Sequence, residues 1–264
     1  MNGAKVGDHI GKGYTAFTLD VSPFLKLGEL NSIVVRADNS FNDNMLPRGK
    51  SSDWAHDGGI FRPVNLIVTS AVFIERVAVE SIPDLSRASA QLEITALIRN
   101  ASPTPWSGHI TFVAVDRQTQ LPVVANAAPL PQRLASSERR EVKLPTVVIG
   151  QPKLWHFDHP SLYDLTITLS DGQPLNTPFG IRKIEVRENR FYLNGEPVRL
   201  MGEERMAGSN TMYGMAEPAA WIHHDHRDLK NLNCVYTRVH WPQDRRVLDW
   251  CDENGIFIQT EVPT

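Results

Sequence analysis

The sequence has few of the features that mark several classes of protein. Its 264 residues include only two cysteines, Cys234 and Cys251. Both lie in apolar segments, which favours buried thiols over a disulfide framework or a metal pair. The net charge is −3, which is too close to neutral to attract nucleic acid or an anionic membrane surface. We therefore expect neither nucleic acid nor a membrane as a partner.

Long apolar runs are also missing. No stretch approaches the roughly 18 apolar residues that a membrane-spanning helix needs. The first twenty residues place glycine, lysine and aspartate at short intervals, which excludes the apolar core of a signal peptide from that segment. The composition predicts a soluble globular protein, and it leaves both a cytoplasmic and an exported location open.

Short alternating strands dominate the first part of the chain. In residues 1–70, apolar and polar side chains alternate over 14–21, 32–37 and 60–68, which predicts β-strands with one buried face. These strands are too few for a complete β-sandwich, so we expect half of this domain to be absent. The polar segment 38–59 is long for a loop, and loops of that length are often functional.

Residues 71–184 repeat the alternating pattern, with turns containing proline and serine between the strands. The clearest predicted strands cover 72–80, 90–98, 107–115, 141–144 and 162–169. About seven short strands in a segment of this length are typical of an immunoglobulin-like β-sandwich. The Cys–Trp–Cys core of antibody domains is absent from the sequence.

Residues 185–264 change character. Asn194-Gly195 between two apolar runs is a strong signal for a β-hairpin. After the strand that follows this turn, the pattern predicts a helix over 219–232, a strand over 235–239, a helix over 244–254 and a strand over 256–258. The order β-α-β-α-β predicts a parallel sheet.

Motifs spread along the whole chain resemble glycoside hydrolase family 2. They are Asn-Gly-Ala-Lys-Val-Gly at 2–7, Gly-Tyr-Thr-Ala-Phe at 13–17, Val-Val-Arg-Ala-Asp-Asn at 34–39, Gly-Gly-Ile-Phe-Arg-Pro-Val at 58–64, Leu-Trp at 154–155, Pro-Ser-Leu-Tyr at 160–163, Phe-Gly-Ile-Arg at 179–182, Phe-Tyr-Leu-Asn-Gly-Glu-Pro-Val at 191–198, His-Trp-Pro at 240–242 and Cys-Asp-Glu-Asn-Gly at 251–255. Each motif is weak alone, but their order and spacing together are specific.

The resemblance implies a multidomain fold that is mainly β plus α/β. Residues 1–70 would be the C-terminal part of a sugar-binding jelly-roll domain, and residues 71–184 an immunoglobulin-like β-sandwich. Residues 185–264 would be the first three β-units of a (β/α)8 TIM barrel, the N-terminal part of the catalytic domain. The implied activity is that of a retaining β-glycosidase of the β-galactosidase or β-glucuronidase kind, which hydrolyses O-glycosyl bonds in carbohydrate metabolism and takes a carbohydrate as substrate.

The same resemblance implies that this chain is catalytically incomplete. A retaining glycosidase needs two carboxyl groups roughly 5–5.5 Å apart, one as acid/base and one as nucleophile. In the family these glutamates end the fourth and seventh barrel strands, beyond Thr264. We therefore assign no catalytic residue here, and we expect this chain alone to be inactive.

Five residues at the ends of the predicted barrel strands are candidates for substrate binding, because barrel function lies at those ends. They are Glu204, Arg205, His240, Trp241 and Glu261. His240 matches a family histidine that lines the sugar site, although a structural role in the loop is the alternative. Glu261 could bind sugar or be a buried ion-pair partner. Trp241 could stack on a sugar ring or pack the loop.

The sequence departs from the family pattern at the same strand ends. Met206 stands where the family usually has a histidine, and a thioether cannot donate a hydrogen bond. Arg238 stands two residues before His240, whereas the family's arginine stands three before. Thr260 takes the first place of a pair that is often acidic. These departures weaken the implication of a specifically galactoside substrate.

The predicted helix 219–232 carries His223, His224 and His226 around Asp225, which suggests a metal site. The chain offers no completing motif such as His-Glu-x-x-His, so a solvated helix face is the favoured interpretation. We assign no metal and no cofactor to this chain, although Mg²⁺ or Na⁺ could assist the full-length enzyme.

A different class of function stays open. The chain could be a non-catalytic carbohydrate-binding or assembly module, because its β domains are of a type that binds sugars or partners. The full-length enzyme could also form a homo-oligomer, which the sequence does not decide.

Overall fold

The computed structural model describes residues 1–44, 49, 56–125 and 129–261. The chain divides into two compact units. Unit one consists of Met1–Val64, Gly202–Trp250 and Ile258–Thr264. Unit two consists of Asn65–Met201 and Cys251–Phe257. The domain boundaries at 70/71 and 184/185 stay predictions. Among the described helices, none has the length and apolar character needed to cross a bilayer.

Unit two contains a β-sandwich of nine strands in the described residues. They are β1 (Val72–Asp84), β2 (Ser89–Asn100), β3 (Trp106–Asp116), β4 (Pro122–Ala125), β5 (Leu130–Leu134), β6 (Arg139–Lys143), β7 (Val147–Gly150), β8 (Tyr163–Leu169) and β9 (Leu175–Phe179). In the first sheet, β2 pairs with β1, β6 and β7. In the second sheet, β3 pairs with β4, β5 and β8, and β8 also pairs with β9. Every pair is antiparallel. The predicted sandwich is confirmed.

The sandwich core follows from the alternation in the sequence. Successive side chains of a strand point to opposite faces, so one apolar set per strand turns inward. Ile94 and Ile98 on β2, and Leu165 and Ile167 on β8, are completely buried and belong to one hydrophobic cluster. Each such side chain stabilises the fold by about 1.5–3 kcal/mol through burial.

The predicted hairpin is present in unit two. Its three-stranded antiparallel sheet consists of β10 (Ile184–Arg187), β11 (Arg190–Leu193) and β12 (Glu196–Val198). Leu193 pairs with Glu196, which leaves Asn194 and Gly195 as a two-residue turn. Both turn residues have positive φ, +52° and +87°. A type I′ turn requires that conformation, and Asn-Gly is the pair that adopts it most readily.

A second small sheet carries the helices. Its elements are β13 (Gly202–Glu204), α1 (Ala219–Asn231), β14 (Tyr236–Val239), α2 (Arg245–Asn254) and β15 (Phe257–Thr260). β14 lies between β13 and β15, and β13 runs parallel to β14. The predicted β-α-β-α-β order is confirmed. Glu204 is the last residue of the first strand of this sheet, so it lies at the strand end itself.

The strands predicted over 14–21, 32–37 and 60–68 are wrong. The described part of residues 1–70 contains one 3-10 turn at Ser22–Phe24 and no strand. Apolar side chains that would face a sandwich core are exposed instead, among them Val34 and Leu66. A strand forms only when its N–H and C=O groups pair with a neighbour, and the described residues supply none here. Part of the long polar segment 38–59, including Trp54, lies outside the described residues.

Cys234 and Cys251 are both buried and form no disulfide in the described structure. Burial is the main cause that raises the pKa of the Cys234 thiol above its ordinary value. A thiol with a raised pKa is a poor nucleophile at neutral pH, because the thiolate is the reactive form. Cys234 therefore acts as a small hydrophobic side chain, as predicted.

Candidate functional site

Polar side chains gather where the three strands of the second sheet end. Glu204 is the last residue of β13, Arg238 is the penultimate residue of β14, His240 follows β14, and Glu261 follows β15. Glu204 and Arg238 are direct partners in the parallel register of β13 and β14. The strands therefore bring together three of the five predicted site residues. We call Glu204, Arg238, His240 and Glu261 the strand-end cluster.

Arg238 is the centre of the strand-end cluster. Its Nη1 donates to Glu204 Oε2 at 2.7 Å, and its Nη2 pairs with the Glu261 carboxylate. Partial burial works to lower the pKa of Arg238, but the two carboxylates outweigh it and hold that pKa above its ordinary value. The guanidinium is therefore a permanent cation that fixes both carboxylates at one edge of the sheet.

His240 closes one side of the cluster. Its Nδ1 lies 2.7 Å from Glu204 Oε1 and 2.8 Å from the Met206 sulfur. A carboxylate can only accept, so this contact places a hydrogen on Nδ1. Nε2 lies 3.5 Å from an Arg238 nitrogen, which can donate to it. Met206, which replaces a family histidine, therefore contacts the predicted sugar-site histidine.

The structure gives Arg205 a different place from the predicted one. Its side chain is only 4% exposed. Two of its nitrogens donate to the Glu217 carboxylate at 2.9 and 2.8 Å, and its Nε donates to Asp225 at 2.7 Å. The planar guanidinium matches a carboxylate with two parallel N–H donors, as it does at Glu217. Arg205 is committed to a buried ion network, so we remove it from the candidate sugar contacts.

A second ion pair extends the buried network. Arg246 donates to both oxygens of Asp244, at 3.0 and 2.6 Å, and to the backbone carbonyl of Glu217 at 3.1 Å. Burial works to raise the pKa of Asp244, but hydrogen bonds and charge from Arg246 outweigh it and leave that pKa lowered. This pair ties the start of α2 to the segment before α1.

Trp241 also differs from its predicted place. Its side chain is 1% exposed, and its ring stacks on Tyr14 with centroids 5.4 Å apart. Arg62 donates to the carbonyls of Tyr14 and Pro242, both at 2.5 Å, and burial lowers its pKa. A buried ring offers no face to a sugar. Loop packing, the alternative that the sequence left open for Trp241, is what the structure supports.

The histidines of α1 do not form one solvated face. His223 and His224 are exposed, but His226 is completely buried, so that part of the prediction is wrong. His226 Nδ1 lies 2.7 Å from the Ile222 carbonyl. Burial, with the nearby Arg205 charge, lowers the pKa of His226 to about 4. In the parts of the chain that the structure describes, no group of three or more acidic, histidine or cysteine residues could hold a metal ion.

Sequence reasoning missed the central arginine and the acidic partners of Arg205. Arg238 was noted only as displaced from the family position, and Glu217 and Asp225 were not considered as a pair. One signal was available: an arginine next to a strand end needs a carboxylate when it is buried. The burial itself depends on long-range packing, which a local pattern does not show.

Two family models match the chain, and together they cover most of it. The model described as Glycosyl hydrolases family 2 matches residues 72–182. The model described as Glycosyl hydrolases family 2, TIM barrel domain, matches residues 184–264. The first range contains the β-sandwich, and the second contains β13, β14, β15 and the strand-end cluster.

Curated relatives align over the whole chain. A β-galactosidase from Thermoanaerobacter pseudethanolicus is 32% identical over 273 residues, which include 100% of this chain and 35% of the relative. A β-glucuronidase from Bacteroides fragilis is 25% identical over 281 residues, which include 100% of this chain and 38% of the relative. The chain spans about a third of the length of the curated relatives it matches.

Solved structures of β-glucuronidases are similar to this chain in fold. A β-glucuronidase from Parabacteroides merdae has a TM-score of 0.74 at 26% identity, with 86% of this chain and 28% of that chain covered. A Bacteroides uniformis β-glucuronidase 2 has a TM-score of 0.85 with 99% of this chain and 32% of that chain covered. Its 23% identity makes that second likeness one of fold alone.

Proposed function

The chain belongs to glycosyl hydrolase family 2, and from this premise we propose that it is part of a retaining β-glycosidase that hydrolyses O-glycosyl bonds. Its relatives carry β-galactosidase and β-glucuronidase names, and both names describe the hydrolysis of β-glycosides. The observation that carries the proposal for this chain is the strand-end cluster, because the ends of barrel strands are where such enzymes place their sites.

We assign sugar binding to the strand-end cluster. Glu204 and Glu261 can accept hydrogen bonds from sugar hydroxyls through lone pairs that the arginine leaves open. His240 supplies an imidazole beside them. The side chains of Glu204, Arg238 and Glu261 are 36%, 37% and 32% exposed, so a ligand can reach them. Arg238 holds the two glutamates in place, which limits the entropy lost when a sugar binds.

The cluster does not provide the two catalytic groups. A retaining hydrolase needs a carboxylic acid that gives a proton to the leaving group and a free carboxylate that attacks the sugar. Glu204 and Glu261 both pair with Arg238, so neither is placed as a free proton donor. In this proposal the acid/base and the nucleophile come from outside the 264 residues, and the cluster orients the sugar that they attack.

Hydrolysis of p-nitrophenyl β-galactoside and β-glucuronide tests this division of roles. We expect the 264-residue chain to release no p-nitrophenol, and a protein extended over the further length of its relatives to release it. Glu204→Gln in the extended protein should raise KM, and Glu203→Gln, on the same strand, is the matched control. Turnover by the 264-residue chain would contradict the proposed role. Sugar binding by the extended protein without turnover of any β-glycoside would favour a carbohydrate-binding module.

A further inference from the structure

The strand-end cluster contains more carboxylates than guanidinium groups. Glu204 and Glu261 contribute two carboxylates, and Arg238 contributes one guanidinium. Among the described residues, Arg238 is the only arginine or lysine paired with either glutamate. His240 contacts Glu204 through Nδ1. In the part of the chain that the structure describes, two carboxylates at this edge therefore share a single arginine.

Both Nη groups of Arg238 already contact protein groups. Nη1 is bonded to Glu204, while Nη2 pairs with Glu261 and faces His240 Nε2. Recognition of a sugar carboxylate normally uses an arginine fork with two parallel N–H donors. That fork is occupied here by two protein carboxylates. A sugar carboxylate would have to displace one of them and leave it without its cation.

Two other arginines of the same unit are committed to partners of their own. Arg205 is buried with Glu217 and Asp225, and Arg246 is held by Asp244. Removing a partner from a buried ion pair leaves an uncompensated charge, which is strongly unfavourable. The edge that a sugar can reach therefore presents carboxylate oxygens, which accept hydrogen bonds from hydroxyl groups. Within the described ranges, no arginine or lysine other than Arg238 pairs with them.

We propose that the part of the sugar site carried by this chain selects neutral glycosides and rejects uronides. The inference rests on the proposed sugar-binding role of the strand-end cluster and adds the class of sugar. A neutral sugar gives its hydroxyl hydrogens to Glu204 and Glu261. A uronide brings a third carboxylate to an edge whose arginine already pairs with two, and such like-charge contacts are a common device of specificity. The inference separates the two activities named among the relatives.

Methyl β-glucopyranoside and methyl β-glucopyranosiduronate form the matched probe pair, because they differ only in a hydroxymethyl or a carboxylate at carbon 6. The corresponding methyl β-galactoside and galacturonide give a second pair. Titration of the 264-residue chain with each sugar, followed by protein NMR at neutral pH and low salt, yields four dissociation constants. We expect each neutral sugar to bind at least about tenfold more tightly than its uronide.

Two variants test whether the strand-end cluster causes the preference for neutral sugars over uronides. Glu261→Gln removes one negative charge while keeping the shape, so the ratio between neutral sugar and uronide should fall to within about threefold. Glu203→Gln, which removes a charge from the opposite face of β13, should leave the ratio unchanged. Circular dichroism of both variants checks that the fold is kept, and 1 M salt should reduce the ratio in the unmodified chain by screening.

The outcomes distinguish a failure of the neutral-sugar preference from a failure of sugar binding by the strand-end cluster. Equal or tighter binding of either uronide would overturn the neutral preference while leaving the sugar site intact. An unchanged ratio in Glu261→Gln would also overturn it, because the charge would then come from elsewhere. If neither sugar of a pair binds, the sugar-binding role of the strand-end cluster fails, and the inference fails with it.

Discussion

His226 on α1 makes the stability of the chain depend on pH. Its ring is completely buried, and Nδ1 donates to the Ile222 carbonyl, since a carbonyl can only accept. Nε2 has no hydrogen-bond partner among the described residues. Protonation would place an N–H without an acceptor, and a positive charge, in a buried site near Arg205. Asp225 opposes this effect only in part.

The size of the effect follows from the lowered pKa. The pKa of His226 falls from 6.5 to about 4 in the folded chain, chiefly because the ring is buried. A lowered histidine pKa means that the unfolded chain binds the proton more tightly, so the contribution is fully present above pH 6.5 and is lost as pH falls towards 4. Linkage gives a loss of about 2 kcal/mol in unfolding free energy between pH 7 and pH 5, and roughly 3 kcal/mol below pH 4.

Urea unfolding at several pH values measures this loss. Circular dichroism reports the whole fold, and tryptophan fluorescence adds a local probe because the Trp250 ring lies 5.6 Å from His226. His226→Leu cannot titrate, so we expect its stability to fall by about 2 kcal/mol less than that of the unmodified chain from pH 7 to pH 5. His223→Gln, on the exposed face of the same helix, is the matched control and should keep the full loss.

One result would refute the reasoning. If His226→Leu loses as much stability between pH 7 and pH 5 as the unmodified chain, His226 does not control the pH dependence. Any carboxylate titration is common to both proteins, so it cancels when the loss in His226→Leu is compared with that in the unmodified chain. A smaller loss in His223→Gln would likewise move the titration to the exposed histidines.

Three further substitutions test particular contacts, each by the midpoint and slope of urea unfolding. Arg205→Met leaves the buried Glu217 carboxylate without its cation, and we expect a loss of about 3–5 kcal/mol. Asn100→Ala removes a completely buried amide that bonds Thr104 and Ala135 carbonyls, with an expected loss of about 2–3 kcal/mol. Gly255→Ala should destabilise by more than about 2 kcal/mol, because φ is +74° and the new Cβ would lie 2.1 Å from a backbone oxygen. A loss below about 0.5 kcal/mol in any of the three would contradict the contact that it tests.

The alternation of apolar residues predicted the sandwich well because the chain contains the partners of those strands. β2 has β1, β6 and β7 beside it, so its inward residues find both a ladder and a core. The same alternation in residues 1–70 predicted strands that the described structure lacks. The local signal is similar in both places. Strand formation also needs a neighbouring strand, which a local pattern does not contain.

The expectation that barrel enzymes place their sites at strand ends led to the candidate site. It did not predict which face of the sheet each side chain would take. Glu204 and Arg205 are adjacent, so their side chains leave the strand on opposite sides. Glu204 joins the exposed cluster, while Arg205 turns to the buried network. Trp241 likewise follows His240 but packs on Tyr14. That expectation gives the position along the chain, and the direction of each side chain depends on a register that only the paired strands define.

The position of Arg238, one residue from the place that the family resemblance implies for an arginine, determines which groups it meets. Along β14, Thr237 and Val239 are buried while Arg238 is half exposed, so the strand alternates strictly through this region. An arginine three residues before His240 would occupy the place of Thr237 and point to the other face, because a shift of one residue reverses the side of a strand. At its actual position Arg238 meets Glu204 across the register and Glu261 beyond β15. The arginine of the cluster therefore binds the protein's own carboxylates, and the proposed preference for neutral sugars rests on that arrangement.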